Sequence, residues 1–195
     1  MKRIIVLSIL FLVFSTTHAA QADVWTIDKD HTAVTFKVKH IHSKVFGLFS
    51  EYDGDVVFNP GDLENSRFDL SVRVKSVNTF HPKRDNHLRS KDFFHADKFD
   101  TMRFTSETIT LQSENTYRVK GKMRIKDVTK DIETVVHFSP PVPSPFDKKK
   151  QVAGFDTTFS INRLDYNVGN GKFYNMGVVG KTVDIHISLE GIGSK

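Results

Sequence analysis

From Tyr117 to Lys126 the chain alternates without a break. Tyr117, Val119, Gly121, Met123 and Ile125 share one side, and Arg118, Lys120, Lys122, Arg124 and Lys126 share the other. A repeat of two is the repeat of a strand. Apolar against charged puts one face in a core and the other in water, which marks antiparallel rather than parallel sheet. The pattern recurs at Thr32 to His40, where Val34, Phe36 and Val38 oppose Thr35, Lys37 and Lys39. It recurs again at Arg67 to Lys75, where Phe68, Leu70, Val72 and Val74 oppose Asp69, Ser71 and Arg73. Further strands are predicted over residues 49–58, 102–111, 132–138, 155–161 and 183–189. Asn59-Pro60-Gly61-Asp62 predicts a type II turn, and Glu114-Asn115 and Asp127 to Asp131 short polar connections. Pro140 to Pro145, followed by Lys148-Lys149-Lys150, predicts a solvated loop, and Asn167 to Lys172 a flexible one. Only Arg84 to Phe94 breaks the rhythm, and its charge spacing predicts a short helix. Many strands and one short helix suit a barrel or a sandwich, and only a barrel of sufficient girth encloses a ligand.

The first 22 residues read as an address. Lys2 and Arg3 precede an apolar stretch from Ile4 to Phe14, interrupted by Ser8, and Ala20-Gln21-Ala22 fits the small-x-small cleavage rule. A Sec-type signal peptide cut near Ala22 is expected, with Thr17-His18-Ala19 as the alternative, leaving a domain over residues 23–195 in the periplasm. The apolar stretch is shorter than the roughly 20 residues of a membrane span, so no stable membrane insertion is expected. Without Lys2 and Arg3, 26 basic residues face 23 acidic ones. That balance carries no nucleic-acid footprint. The absence of cysteine excludes disulfides, thiol catalysis, cysteine-based zinc sites and lipoprotein acylation.

Phenylalanine supplies 17 residues against 4 Tyr and 1 Trp, giving apolar surface with no polar tip to satisfy. Periodicity leaves two interiors open: a dry core that these rings fill, or a hollow that they line. The inward positions that would touch an oily guest are Phe36, Val38, Tyr52, Phe58, Phe68, Leu70, Val72, Phe93, Phe104, Val119, Met123, Phe138 and Phe159. His40-x-His42 sets two imidazoles on one strand face, a spacing open to a metal, although no third ligand follows at a similar interval. No G-x-S-x-G elbow, P-loop or dinucleotide fingerprint occurs, and no carboxylate pair stands out. An enzyme is not expected, and no cofactor is called for.

The order of motifs resembles the YceI family of exported, lipocalin-like polyisoprenoid-binding proteins. It runs from Trp25-Thr26-Ile27-Asp28 and His31 through Val34-x-Phe36-x-Val38-x-His40 and Gly47-x-Phe49 to Tyr52-x-Gly54. Arg84-Asp85-x-His87-Leu88-Arg89-Ser90-x-Asp92-Phe93-Phe94 is the most specific stretch, followed by Gly121-x-Met123-x-Ile125, Ala153-Gly154-Phe155, Arg163-x-Asp165-Tyr166 and Val183-Asp184-Ile185. Asp100 stands where the family usually has proline, and Asp127 where it has glycine. The resemblance implies an all-β, lipocalin-like antiparallel barrel of about eight strands. It would hold a long isoprenoid lipid, either a polyprenyl phosphate or an isoprenoid quinone, and a homodimer is compatible with it. In such a barrel Arg84, Asp85, His87 and Arg89, with His31, are the candidates to meet a head group. The plainer alternative is that Asp85 caps the helix and the arginines form ordinary pairs. A solid-cored interaction protein of the cell envelope is the competing class, and a metal role through His40 and His42 a minor one.

Overall fold

A computed structural model of the chain describes residues 23–195; the expected signal peptide lies outside the described residues. The strands are β1 (Val24–Ile27), β2 (Ala33–His40), β3 (Ser43–Phe49), β4 (Tyr52–Val57), β5 (Arg67–Arg73), β6 (Val77–Asn78), β7 (Thr101–Ser113), β8 (Thr116–Ile125), β9 (Val128–Pro143), β10 (Lys150–Asn162) and β11 (Val179–Ser194). Two short helices, α1 (Pro82–Arg89) and α2 (Lys172–Asn175), interrupt them. Every strand pairing is antiparallel. The circuit β1-β4-β5-β7-β8-β9-β10-β11 returns to β1, closing an eight-stranded barrel.

Closure is uneven along the barrel, and this decides where a site can lie. At one end β1 bridges β4 and β11, through Val24 opposite Val57 and Thr26 opposite Ile192. The chain leaves β11 at Asp28 and rejoins it as β2, so the other half of β11 pairs with β2 instead. There β2, β3 and β6 form a flap that does not reach β7. α1 and the turns of residues 90–100 fill the gap.

The two ends differ in packing. At the β1 end Phe58, 1% exposed, meets Phe68, Tyr117, Phe138 and Phe155 at ring-centroid distances of 5.9, 4.9, 4.9 and 5.5 Å. Trp25 lies beneath, donating its Nε1–H to the Phe58 carbonyl at 3.0 Å. Gly191 and Gly193 of β11 make room for it, since a Cβ at either would come within 3.0 Å of Trp25. This end is a solid aromatic plug. A second apolar cluster, including Phe93, Ile125, Tyr166 and Val168, occupies the α1 end.

Four expectations need correction. α1 begins at Pro82, two residues earlier than predicted, because His81 caps it: its Nδ1 accepts from the Arg84 N–H at 3.3 Å. Residues 90–94 are turns rather than helix. The proline segment is not a loop up to Pro143, since β9 continues through Pro140, Pro141 and Pro143, with Val142 and Pro143 paired to β10. β8 pairs no further than His137, so the missing proline N–H groups fall on an unpaired edge. Gly61 does not take the positive φ of a type II turn, although the turn keeps its closing bond from Asp62 N–H to Asn59 O, at 2.9 Å.

Candidate functional site

Between the plug and α1 the barrel is hollow, and three apolar chambers follow one another along it. The first, about 60 Å³, rests on the plug and is bordered by Phe68, Leu70, Phe104, Val119, Met123, Phe155, Phe159 and Ile187. The second, about 110 Å³, lies two residues further along the same strands, bordered by Met102, Ile125, Ile161 and Ile185 together with Phe36, Val38, Leu88, Phe93 and Val179. The third, about 220 Å³, shares those last five residues and adds His40, Val45, Thr79, Arg84, His87, Phe173 and Val178. Leu70, Phe104, Met123, Phe159, Ile185 and Ile187 point inward yet are only half-buried, because they face empty space across the barrel. The few polar groups along this path are satisfied: Thr134 and Thr157 pair through their hydroxyls at 2.7 Å, and Thr157 also donates to the Val135 carbonyl at 2.8 Å. Larger recesses on the outer wall are polar and share no residue with the chambers.

Of the thirteen positions singled out for an oily guest, Phe36, Val38, Phe68, Leu70, Phe93, Phe104, Val119, Met123 and Phe159 border a chamber. Phe58 and Phe138 do not; they are locked in the plug. Tyr52 spans the β1–β2 break, its hydroxyl donating to the Thr32 carbonyl at 2.5 Å, and Val72 likewise borders no chamber.

The charged stretch on α1 divides in two. Arg84 and His87 border the third chamber beside His40. Asp85, 6% exposed, turns away from it and accepts from the Thr79 backbone N–H at 2.8 Å and the Thr79 hydroxyl at 2.5 Å. Arg84 clamps the same residue, donating from Nε to Thr79 Oγ1 at 2.7 Å and from Nη2 to Thr79 O at 2.6 Å. Asp85 is therefore not the helix cap; it holds the turn that precedes α1. Arg89 faces the outer wall and ties α1 to the Lys75 and Val77 carbonyls, both at 2.8 Å. His31 is remote from the chambers, at the break between β1 and β2. There it pairs with Asp28 at 2.9 Å and approaches Glu190 at 3.9 Å. The hydrogen bond to Asp28 raises the His31 pKa above its ordinary value, and the same bond lowers that of Asp28.

His40 and His42 do not share a strand face. β2 ends at His40, Ile41 takes a positive φ of 50°, and His42 falls in the hairpin turn. His40 turns toward the third chamber while His42 is exposed, so this pair is not brought together to bind a metal. Among the described residues only Asp28, His31 and Glu190 place three potential ligand atoms within 4.8 Å of one another.

Arg163 escaped notice in the sequence. It is 5% exposed, borders the second chamber, and has no carboxylate partner among the described residues. Its guanidinium donates to the carbonyls of Gly180 (2.8 Å), Val168 (2.7 Å) and Val179 (3.4 Å), and burial lowers its pKa. The only signal was its place in the Arg163-x-Asp165-Tyr166 motif.

The YceI-like domain model matches residues 25–191. A UPF0312 protein of Pseudomonas fluorescens is 33% identical over 100% of this chain and 98% of its own length. BcnA of Burkholderia cenocepacia superposes with a TM-score of 0.77 at 22% identity, covering 84% of this chain and 98% of that one. A polyisoprenoid binding domain from Saccharophagus degradans, implicated in plant cell wall breakdown, superposes with a TM-score of 0.64 at 15% identity, covering 90% of this chain and all of that one.

Proposed function

The chain belongs to the YceI family, and from that premise we propose that it is an exported, non-catalytic carrier of a long isoprenoid lipid. The observation that carries this reading is the row of apolar chambers whose inward side chains are left half-buried. Filled cores bury such residues completely, as the plug does. A hollow lined by Phe, Leu, Ile, Val and Met holds a guest through burial alone, at about 0.8 kcal/mol per methylene. The Saccharophagus degradans domain, described as polyisoprenoid binding, supports the choice of guest.

The tail would extend toward the plug and the head would rest in the third chamber. There His40, Thr79, Arg84 and His87 are the polar side chains that meet the apolar path. A polyprenyl phosphate or an isoprenoid quinone satisfies that arrangement. The expected signal peptide, residues 1–22, supports the periplasm as the place of action.

The test is native mass spectrometry and solvent extraction of the protein purified from its own host. A stoichiometric isoprenoid is the expected result, and Ile185→Trp, which fills the second chamber, should abolish it while leaving the fold intact. Protein that carries no lipid, and takes none up when titrated with either polyprenyl phosphate or quinone, would overturn the carrier reading.

A further inference from the structure

The barrel end that holds the third chamber is assembled from three segments far apart in sequence: residues 37–46, 78–84 and 167–183. The Ile41 N–H donates to the Val178 carbonyl at 3.0 Å, and His40 lies opposite Val179. The rings of Phe46 and Phe80 stack with centroids 6.1 Å apart and planes 9° from parallel. The Lys181 ammonium sits 5.5 Å from the Tyr174 ring centroid.

Two properties distinguish this rim from the rest of the surface. Ile41, Phe46, Phe80, Tyr174 and Met176 all lie on it, and they are five of the nine large apolar side chains exposed among the described residues. The same three segments contain Lys37, Lys39, Lys44, Lys83, Arg84, Lys172 and Lys181, and no aspartate or glutamate. Of these, Lys44 pairs with Asp184 at 2.9 Å and Lys37 stands across the strand pair from the same carboxylate, whereas Lys39, Lys83, Lys172 and Lys181 have no salt-bridge partner among the described residues. The barrel wall is the opposite case, its cations neutralised in pairs such as Arg118 with Glu133, Lys122 with Asp131 and Arg103 with Asp69.

Phe80 sharpens the point. It is 68% exposed and held at φ 62°, a region that bulky side chains avoid. The Arg84 and Asp85 clamp on Thr79 enforces the turn, and the Phe80 N–H donates to Asn78 Oδ1 at 2.8 Å. Side-chain hydrogen bonds of Asn78, Arg84 and Asp85 thus hold a ring out in water. An outlier of that kind points to a use outside the fold.

We propose that this rim is a docking face for a bilayer bearing anionic phospholipids. The apolar side chains enter the interfacial layer, and the uncompensated lysines meet phosphate groups, with their stems lying along apolar surface and their heads at the lipid phosphates. Docking there sets the third chamber against the layer in which a long isoprenoid resides. The docking face stands on the rim alone; its use in loading cargo rests on the carrier reading.

The experiment is co-sedimentation of the mature protein with vesicles of equal parts phosphatidylglycerol and phosphatidylethanolamine, against vesicles of phosphatidylcholine. Binding should be at least about tenfold tighter to the anionic vesicles and should weaken with salt. Phe80→Ser combined with Ile41→Ser should lose about tenfold, and Lys172→Glu with Lys181→Glu should flatten the salt dependence. Leu111→Ser, an exposed apolar residue away from the rim, should change nothing. Indifference to lipid charge, or unaltered binding by the Phe80 and Ile41 variant, overturns the proposal. A concentration-dependent dimer broken by the same substitutions would assign the face to a second copy and overturn it equally. Lipid occupancy measured in parallel separates the two readings: vesicle binding by a protein with no bound isoprenoid defeats the carrier alone, and bound isoprenoid without vesicle binding defeats the docking face alone.

Discussion

Two phenylalanines on inward strand faces have different energetic roles. Phe58 touches four aromatic rings in the plug, whereas Phe159 faces the first chamber and is half-buried. Truncating a packed ring removes its burial and leaves a cavity, so Phe58→Ala should cost about 3–5 kcal/mol. Phe159→Ala only enlarges an existing hollow and should cost less than half as much; urea denaturation of the two variants measures the contrast, and equal losses would mean the hollow is filled. The His31–Asp28 pair makes a prediction of a different kind. His31 is raised by its hydrogen bond to Asp28, so its stabilising contribution is complete below the unfolded histidine value and disappears as pH rises through the folded one. Asp28 is lowered by the same bond, so its contribution is present above the unfolded carboxylate value and disappears as pH falls through the folded one. In Asp28→Asn the His31 midpoint, followed by NMR, should fall toward the ordinary 6.5. A midpoint that stays put would assign the shift to Glu190, which approaches to 3.9 Å.

At the scale of elements, α1 and the segment behind it form the part of the wall that strands do not supply. Asp85 is the link, since it alone accepts from both the N–H and the hydroxyl of Thr79. Asp85→Ala leaves a buried N–H without its acceptor and should cost about 1–3 kcal/mol. Hydrogen exchange should accelerate over residues 74–100 and not in β8 to β10, because the barrel circuit does not depend on α1. The elements also mark what the sequence discloses. β8 was legible residue by residue, since Tyr117 to Ile125 alternates without exception and each charged partner is exposed. β1 and β3 were not: four residues are too few for periodicity, and in β3 Phe46 points to solvent where the pattern wants a polar residue. That exception belongs to the rim, whose members sit on three distant segments and acquire meaning only once the fold joins them. Arg163 stayed hidden for a related reason. Three backbone carbonyls take the place of a counter-ion, and no side-chain pattern records them.

Over the described residues the molecule is a barrel stopped at one end. Phe58, Phe68 and Phe155 close the β1 end, and the chambers grow from about 60 to 110 to 220 Å³ toward α1. From Leu189 beside the plug to Val179 at the third chamber, β11 advances ten residues. At about 3.3 Å per residue and a strand tilt near 40°, that is roughly 25 Å along the axis. On the carrier reading a tail would enter from the α1 end, and its length would have a ceiling. Affinity should climb with each added isoprene unit while the new carbons fall inside the tube, since each buried methylene contributes about 0.8 kcal/mol. It should then level off once the tail reaches Phe155, because further units must fold back or remain outside. Opening the plug with Phe155→Ala together with Phe58→Ala should shift the plateau toward longer chains, provided the variant still folds by circular dichroism. Titration of delipidated protein with a homologous series of polyprenyl phosphates reads this directly. A plateau that ignores the double substitution would place the tail elsewhere than along the barrel axis, and affinity that never levels off would mean the aromatic plug is no stop at all.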